Sequence, residues 1–314
     1  MAAAENRPEP PQLPKSARDG NQQMTTRTSR IKRIVLLALA GATLPLLAHA
    51  AGDAIHIERQ KWSFAGLFGR FDQNQLQRGF QVYKESCAQC HGLARIDFRN
   101  LAQPGGPSFN EDAVKGLAAT YQVQDGPNDD GKMFKRPARL SDKIPPPYAN
   151  EKEARSIHNG AYPPDLSLIA RARGVEYQGS LFAHPFHLLK DMFAGYQEGG
   201  ADYVFALLTG YVAKPDDFKM ADGMNYNRAF PGHQISMPPP LQDGAIKTDG
   251  KAEFQDGTPA TVEQMARDVV AFLSWASDPK HDDRKRMGLL VLLYLLITAV
   301  LLYLAKKRIW KSAH

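Results

Sequence analysis

The strongest constraint in this sequence is the run Cys-Ala-Gln-Cys-His at positions 87–91, which contains both cysteines of the 314-residue chain. On a helical turn, two thiols three positions apart lie on one side, where each can add to a vinyl group of haem. The adjacent histidine is then carried beneath the iron as its proximal ligand. We therefore predict one covalently attached haem c at Cys87 and Cys90, with His91 as an iron ligand.

Two other chemistries use the same cysteine spacing. A thioredoxin-like pair would lie in a β-α-β pattern, which we do not find around residues 87–91. A structural zinc site would need a second pair of ligands, and His184 and His187 are the nearest candidates. The histidine that follows Cys90 directly favours haem over both alternatives.

The pattern of apolar residues predicts two amphipathic helices. Before the motif, apolar residues recur at helical spacing at Leu76, Phe80, Tyr83 and Cys87, which places one apolar face toward the haem. A second helix is predicted over Val262–Ala276, with a packing face formed by Met265, Val269 and Phe272. Stretches rich in proline and glycine at 104–107, 145–147 and 231–244 are predicted to be loops.

The second iron ligand has several candidates, because methionines stand at 133, 192, 220, 224, 237 and 265. Met237 is favoured because Pro238, Pro239 and Pro240 follow it and hold the chain extended and stiff. A thioether on a rigid strap suits an iron that changes oxidation state, and His/Met ligation raises the reduction potential. His233 is the main competitor, whereas Met265 is expected to pack in the core.

Both ends of the chain carry membrane-related signals. A basic stretch, an apolar run at 34–47 and Ala48-His49-Ala50 predict a signal peptide over 24–50, with an N-terminal membrane anchor as the alternative. Residues 1–50 are excluded from the fold, and the polar, proline-rich segment 1–23 is either a disordered extension or the result of a start site assigned upstream of Met24. Residues 288–305 are uncharged and long enough to cross a bilayer. We predict an exported domain at 51–283 and a membrane anchor with a short cytoplasmic tail at 284–314.

The distribution of charge argues against nucleic-acid binding. The formal net charge is +6 for the whole chain, but it is about −5 over 51–283 and positive only at the two ends. Binding phosphate would need a basic face on the folded domain. An acidic domain instead fits a basic protein partner, toward which Asp125, Asp129 and Asp130 are candidate steering residues.

Four segments together resemble cytochrome c1. They are RGFQVYKESCAQCHGL at 78–93, EARSIHNGAYPPDLSLIARAR at 153–173, DYVFALLTGY at 202–211 and FPGHQISMPPPL at 230–241. The final apolar helix resembles that of the family as well. The Pro-Pro-Asp-Leu-Ser run at 163–167 and the Met-Pro-Pro-Pro-Leu run at 237–241 are the most specific parts of the likeness.

The resemblance implies a mainly α, cytochrome c-like few-helix haem domain with long loops, in which helices near 74–90 and 261–276 cross, plus a single C-terminal transmembrane helix. It implies the haem subunit of a bacterial quinol–cytochrome c reductase, the bc1 complex, held at the inner membrane with its haem domain in the periplasm. Its implied partners are cytochrome b, a Rieske iron–sulfur protein as electron donor, a c-type cytochrome as acceptor and membrane lipid, in a dimeric multi-subunit complex.

The resemblance also assigns two site residues. Met237 falls at the axial methionine of the family, and Arg155 falls at an arginine that neighbours a haem propionate, although an ordinary surface arginine is the alternative. The segment Gly174–Gly200 is longer than in the short form of the family and has no assigned role. Three alternative hypotheses for the function are a cytochrome subunit of a different membrane enzyme, a haem sensor and a thiol redox protein.

Overall fold

The computed structural model describes residues 55–175, 183–194 and 199–311. The predicted signal peptide therefore lies outside the described residues, as do residues 176–182 and 195–198 of the long segment between the middle motifs. The α-helices are α1 (Gln73–Val82), α2 (Glu111–Ala119), α3 (Glu151–Ile157), α4 (Ile169–Ala172), α5 (His184–Ala194), α6 (Gly200–Thr209), α7 (Val262–Ser277) and α8 (His281–Lys311).

Strands are short and occur in two antiparallel pairs within the described ranges. The first pair joins β1 (Gln122–Asp125) to β2 (Phe134–Pro137), with Gln122 opposite Pro137. The second pair joins β3 (Asn225–Tyr226) to β4 (Gln234–Ile235). The expectation of a mainly helical fold with long loops is confirmed.

The core is built on the crossing of α1 and α7, and the predicted apolar faces of both helices are buried there. The two helices approach closely at Gly79, because a Cβ at this position would lie 2.1 Å from the carbonyl oxygen of Asp268 and 2.7 Å from the Cβ of Phe272. The helices therefore meet through their backbones. Met265 is fully buried in this core, which confirms its predicted packing role.

Both crossing helices begin at capping residues. The Asp72 side chain accepts a hydrogen bond from the Gln75 backbone N–H, and the Thr261 hydroxyl accepts one from the Gln264 backbone N–H. A partly buried ion pair then joins the two helices, since Arg78 Nε lies 2.7 Å from the fully buried Asp268 carboxylate. Loss of Arg78 would leave the buried Asp268 charge without its ion-pair partner, which is destabilising.

The C-terminal helix α8 contains the predicted membrane span. It begins at His281, before the apolar stretch 288–305, and continues to Lys311. All of its most apolar 18-residue window is unburied, and an exposed apolar surface of this length is typical of a helix in lipid. Lys306 and Trp310 stack at its far end, with Nζ 4.3 Å from the ring centre.

Candidate haem site

The two cysteines lie on a widened turn that continues α1. Residues Tyr83–Cys87 form a π-helical turn, in which the Ala88 N–H donates to the Tyr83 carbonyl at 2.8 Å. The N–H groups of Cys90 and His91 both donate to the Cys87 carbonyl, at 3.1 and 2.9 Å. This tight turn keeps the cysteine pair and the histidine together, as the motif predicts.

The Cys87 thiol does not have the properties of a redox-active cysteine. Neither cysteine is in a disulfide, and Cys87 is buried. Burial, with a smaller contribution from Cys90, raises the pKa of the Cys87 thiol to about 12. Thiols that exchange with disulfides instead have lowered pKa values, because the thiolate is the nucleophile. A neutral, buried thiol fits a structural or covalent role.

His91 is oriented by a hydrogen bond to the backbone. Its Nδ1 lies 2.8 Å from the Pro164 carbonyl oxygen, which cannot donate, so Nδ1 carries the proton and Nε2 keeps the lone pair. Burial lowers the pKa of the imidazole, and the Pro164 hydrogen bond only partly opposes that effect. A neutral imidazole fixed through its other nitrogen is the usual form of a metal-ligating histidine.

The Pro-Pro-Asp-Leu-Ser run holds that carbonyl in place. The Asp165 carboxylate accepts hydrogen bonds from the backbone N–H groups of Ala94, at 2.8 Å, and Ser167, at 2.9 Å. The Leu166 N–H donates to the Gly92 carbonyl at 2.9 Å. The run is thus clamped against the residues that follow His91, a role that the sequence alone did not reveal although the run itself stood out.

A tyrosine and a histidine form a second support beside the motif. The Tyr148 hydroxyl lies 2.6 Å from Nε2 of His158 and 3.3 Å from the Gln89 carbonyl oxygen. On the other side, the Tyr83 hydroxyl donates to the His91 carbonyl at 3.0 Å. Tyr148 and His158 were not predicted, because nothing in their spacing from residues 87–91 indicates proximity.

Met237 and His233 both lie in the predicted loop 231–244, and each is held by residues outside that loop. The Tyr211 hydroxyl donates to the Met237 carbonyl at 3.0 Å, and the Met237 side chain is half-buried. His233 stacks on Tyr226, with ring centres 5.6 Å apart, and its Nδ1 lies 3.2 Å from the Asn227 carbonyl oxygen. The assignment of Met237 as second iron ligand remains a prediction.

Arg155 is half-exposed on α3. Its guanidinium contacts Glu151 at 2.7 Å, donates to the Gly160 carbonyl at 2.6 Å and lies 5.7 Å from the centre of the Tyr162 ring. These contacts hold the guanidinium on the segment that leads to Pro164. The propionate role that the resemblance gives to Arg155 also remains a prediction.

The acidic residues of the β1–β2 hairpin differ in their surroundings. Asp125 pairs with Arg136, which also contacts Asp142 at 2.6 Å, so the charge of Asp125 is compensated locally. Asp129 and Asp130 are exposed on the hairpin loop. They are therefore better candidates for long-range steering than Asp125.

The zinc alternative finds no support in the part of the chain that the structure describes. Residues 55–175, 183–194 and 199–311 contain no group of three or more histidine, cysteine or acidic side chains that could hold a metal. His184 and His187 lie on α5, where His187 Nδ1 is 3.1 Å from Asp191. By contrast, the two thiols three positions apart and the oriented imidazole at 87–91 fit a covalently bound haem.

Comparisons with known proteins agree with this site. The sequence profile described as the Cytochrome C1 family matches residues 62–313. The chain is 44% identical over 290 residues to "Cytochrome c1" of Blastochloris viridis and 40% identical over 307 residues to "Cytochrome c1" of Rhodospirillum rubrum, in both cases over 92% of this chain. The alignments cover 98% and 99% of those two proteins.

A longer relative contains the same region. The chain is 49% identical over 255 residues to "Cytochrome b/c1" of Bradyrhizobium diazoefficiens. That alignment covers 81% of this chain but only 35% of the relative, so the chain spans about a third of that protein.

Proposed function

This chain belongs to the cytochrome c1 family, and on that premise we propose that it is the electron-transfer subunit of a bacterial quinol–cytochrome c reductase, the bc1 complex. It accepts single electrons from a Rieske iron–sulfur protein and passes them to a soluble or tethered c-type cytochrome. The chain itself makes and breaks no substrate bond, and it takes part in catalysis only as a subunit of the complex.

The residues of the site would hold one haem c and set its reduction potential. When bound, the haem supplies an iron that cycles between two oxidation states by one electron. Cys87 and Cys90 would hold it through thioethers, and His91 and Met237 would ligate the iron. Arg155 would pair with a propionate, where a guanidinium keeps a carboxylate ionised.

The observation that carries this proposal is the His91–Pro164 hydrogen bond of 2.8 Å next to the paired thiols. It fixes the tautomer and orientation of the imidazole, so His91 could ligate the iron of a bound haem without a change in its own position. A haem sensor would instead need an open or weakly held sixth position, and the proline strap after Met237 argues against one.

The membrane arrangement follows from the two ends of the chain. The helix α8 anchors the protein through a single span. A signal peptide at 24–50 exports the domain at 51–283 to the periplasm, and the anchor at 284–314 ends in a basic cytoplasmic tail. The haem site then faces the compartment in which the acceptor cytochrome and the mobile donor are found.

Co-purification tests the proposal against a cytochrome subunit of a different membrane enzyme. An affinity tag on the full-length chain, solubilised in mild detergent, should recover a cytochrome b and an iron–sulfur protein in a dimeric complex with quinol–cytochrome c reductase activity. Recovery with a dehydrogenase or a terminal oxidase, and without cytochrome b, would instead support the rival reading. The name of the Bradyrhizobium relative, which joins b and c1, supports the first outcome.

A further inference from the structure

A compact loop lies immediately before α1, at Trp62–Arg70. It is closed by a hydrogen bond of 3.0 Å from the Arg70 N–H to the Ser63 carbonyl. Inside it, a Cβ on Gly69 would lie 1.9 Å from the Ala65 carbonyl oxygen, so the backbone folds back tightly on itself. The loop is therefore a fixed feature of the domain surface.

This loop is attached to the start of the membrane helix. Lys285 of α8 extends its ammonium group to the loop, where Nζ contacts the carbonyl oxygens of Phe64 (2.8 Å), Gly66 (2.5 Å) and Gly69 (3.3 Å). Three carbonyl acceptors use all three ammonium donors. Just beyond the loop, the ring of Phe71 lies 5.0 Å from that of His281, the first residue of α8.

Two large apolar side chains stand at the tip of the loop. Leu67 is 57% exposed and Phe68 is 75% exposed, and both lie between the glycines whose carbonyls bind Lys285. Lys285 is three residues before Gly288, where the apolar stretch of α8 begins, which is about 4.5 Å along the helix axis. The polar layer of a bilayer is about 5–8 Å thick on each side of the hydrocarbon core, so Lys285 lies within that layer.

We propose that Leu67 and Phe68 insert into the interfacial layer of the bilayer leaflet that α8 enters, as a second lipid contact of the domain. The lipid surface is favoured as occupant because the loop is continuous with the membrane helix through Lys285. Arg70 on the loop and Arg286 on α8 would meet anionic lipid headgroups. Arg284 is already paired with Asp278 at 2.5 Å, and Asp282 and Asp283 lie in the first turn of α8, so the attraction between this region and an anionic surface rests on those two arginines. A helix and a fixed apolar loop together set the tilt of the domain on the membrane, which a single helix does not do.

The proposal rests on α8 crossing the bilayer, and the test distinguishes failure of the loop contact from failure of the membrane span. Single cysteines are introduced by Phe68→Cys, Ile157→Cys and Leu296→Cys in the full-length, haem-loaded protein and labelled with bimane. The native cysteines carry haem and do not react. Ile157 is a matched control, because it is 58% exposed on α3 beside the haem-site residues. Leu296 reports on the span itself.

The labelled proteins are placed in phosphatidylcholine–phosphatidylglycerol vesicles with plain or brominated acyl chains. The fluorescence in brominated vesicles is divided by the fluorescence in plain vesicles, so that quenching by the haem cancels in this ratio. We expect the Phe68 label to be quenched by brominated lipid several-fold more than the Ile157 label, and the Leu296 label to be quenched most. If the Phe68 label behaves like the Ile157 label while Leu296 is quenched, the loop does not touch lipid and the proposal is wrong. If Leu296 is not quenched, the span itself is wrong and the loop proposal fails with it.

The same labels are then measured in the assembled complex, to find out whether another subunit covers the loop. Shielding of the Phe68 label from brominated lipid and from aqueous iodide only in the complex would mean that another subunit covers the loop, which would also overturn the proposal. Quenching by brominated lipid in both the isolated subunit and the complex supports it.

Discussion

Replacing Gly79 by alanine tests whether the crossing of α1 and α7 holds the haem-binding segment in place. The new Cβ would lie 2.1 Å from the Asp268 carbonyl oxygen, whereas Cβ atoms essentially never approach another atom within 3.0 Å. The nearest atoms belong to the α7 backbone and the Phe272 Cβ, which cannot rotate away. The two helices must therefore separate by about 0.9 Å, the difference between the two distances.

The expected magnitude combines two opposing effects. Alanine in a helix is intrinsically better than glycine by about 1 kcal/mol. Overpacking a core costs about 1–3 kcal/mol, and more where backbone has to move. We expect Gly79→Ala to lower the free energy of unfolding by about 2 kcal/mol, or the melting temperature by about 4–8 °C for a domain of this size.

Gly116→Ala is the matched control, since Gly116 is exposed in α2 and a Cβ there would meet nothing within 4 Å. It should raise the stability by about 0.5–1 kcal/mol. Both variants are made in the haem-loaded protein and unfolded with guanidinium while circular dichroism at the helical band is recorded. Equal or higher stability of Gly79→Ala would refute the close backbone contact on which this fold depends.

Three further substitutions probe the site and the surface. Asp165→Ala removes the acceptor of two backbone hydrogen bonds that clamp the segment after His91, and should lower stability by about 1–2 kcal/mol in denaturant titrations and reduce haem incorporation. Hydrogen bonding from Arg136 lowers the pKa of Asp142 below 3.8. The ionised Asp142 therefore stabilises the folded state above that pH, and this stabilisation is lost as the pH falls below it. Arg136→Gln should move the midpoint of acid unfolding to higher pH. Asp129→Asn with Asp130→Asn should lower the acceptor on-rate at low ionic strength in stopped-flow measurements, and an unchanged rate would remove both from the docking site.

The helices and the cysteine motif were predictable because each depends on local spacing. The face Leu76, Phe80, Tyr83 and Cys87 follows helical periodicity, and all four side chains are buried as expected. The position of α7 against α1 was also predicted, since both faces are apolar and the family plan places them together. The uninterrupted apolar stretch at 288–305 was sufficient to predict a span inside α8.

The supports of the haem site could not be predicted, because they join residues that are far apart in sequence. Pro164 contacts His91 across 73 positions, and a proline carbonyl carries no sequence signal for the partner it accepts from. Asp165 looked like part of a family motif, yet its role as a clamp appears only when its two backbone donors are located. The contact of Lys285 with the loop at 62–70 could not be predicted for the same reason, because it joins residues more than 200 positions apart.

The assignment of the iron ligands is tested by a visible spectrum and a redox titration of the full-length, haem-loaded protein and of its Met237→Leu variant. We expect the reduced wild type to show a c-type α-band and a high midpoint potential, because a thioether ligand favours reduced iron. Met237→Leu should lose a large part of that potential while the covalent haem stays attached at Cys87 and Cys90. An unchanged spectrum and potential would contradict His91/Met237 ligation and move the second ligand to His233 or another methionine.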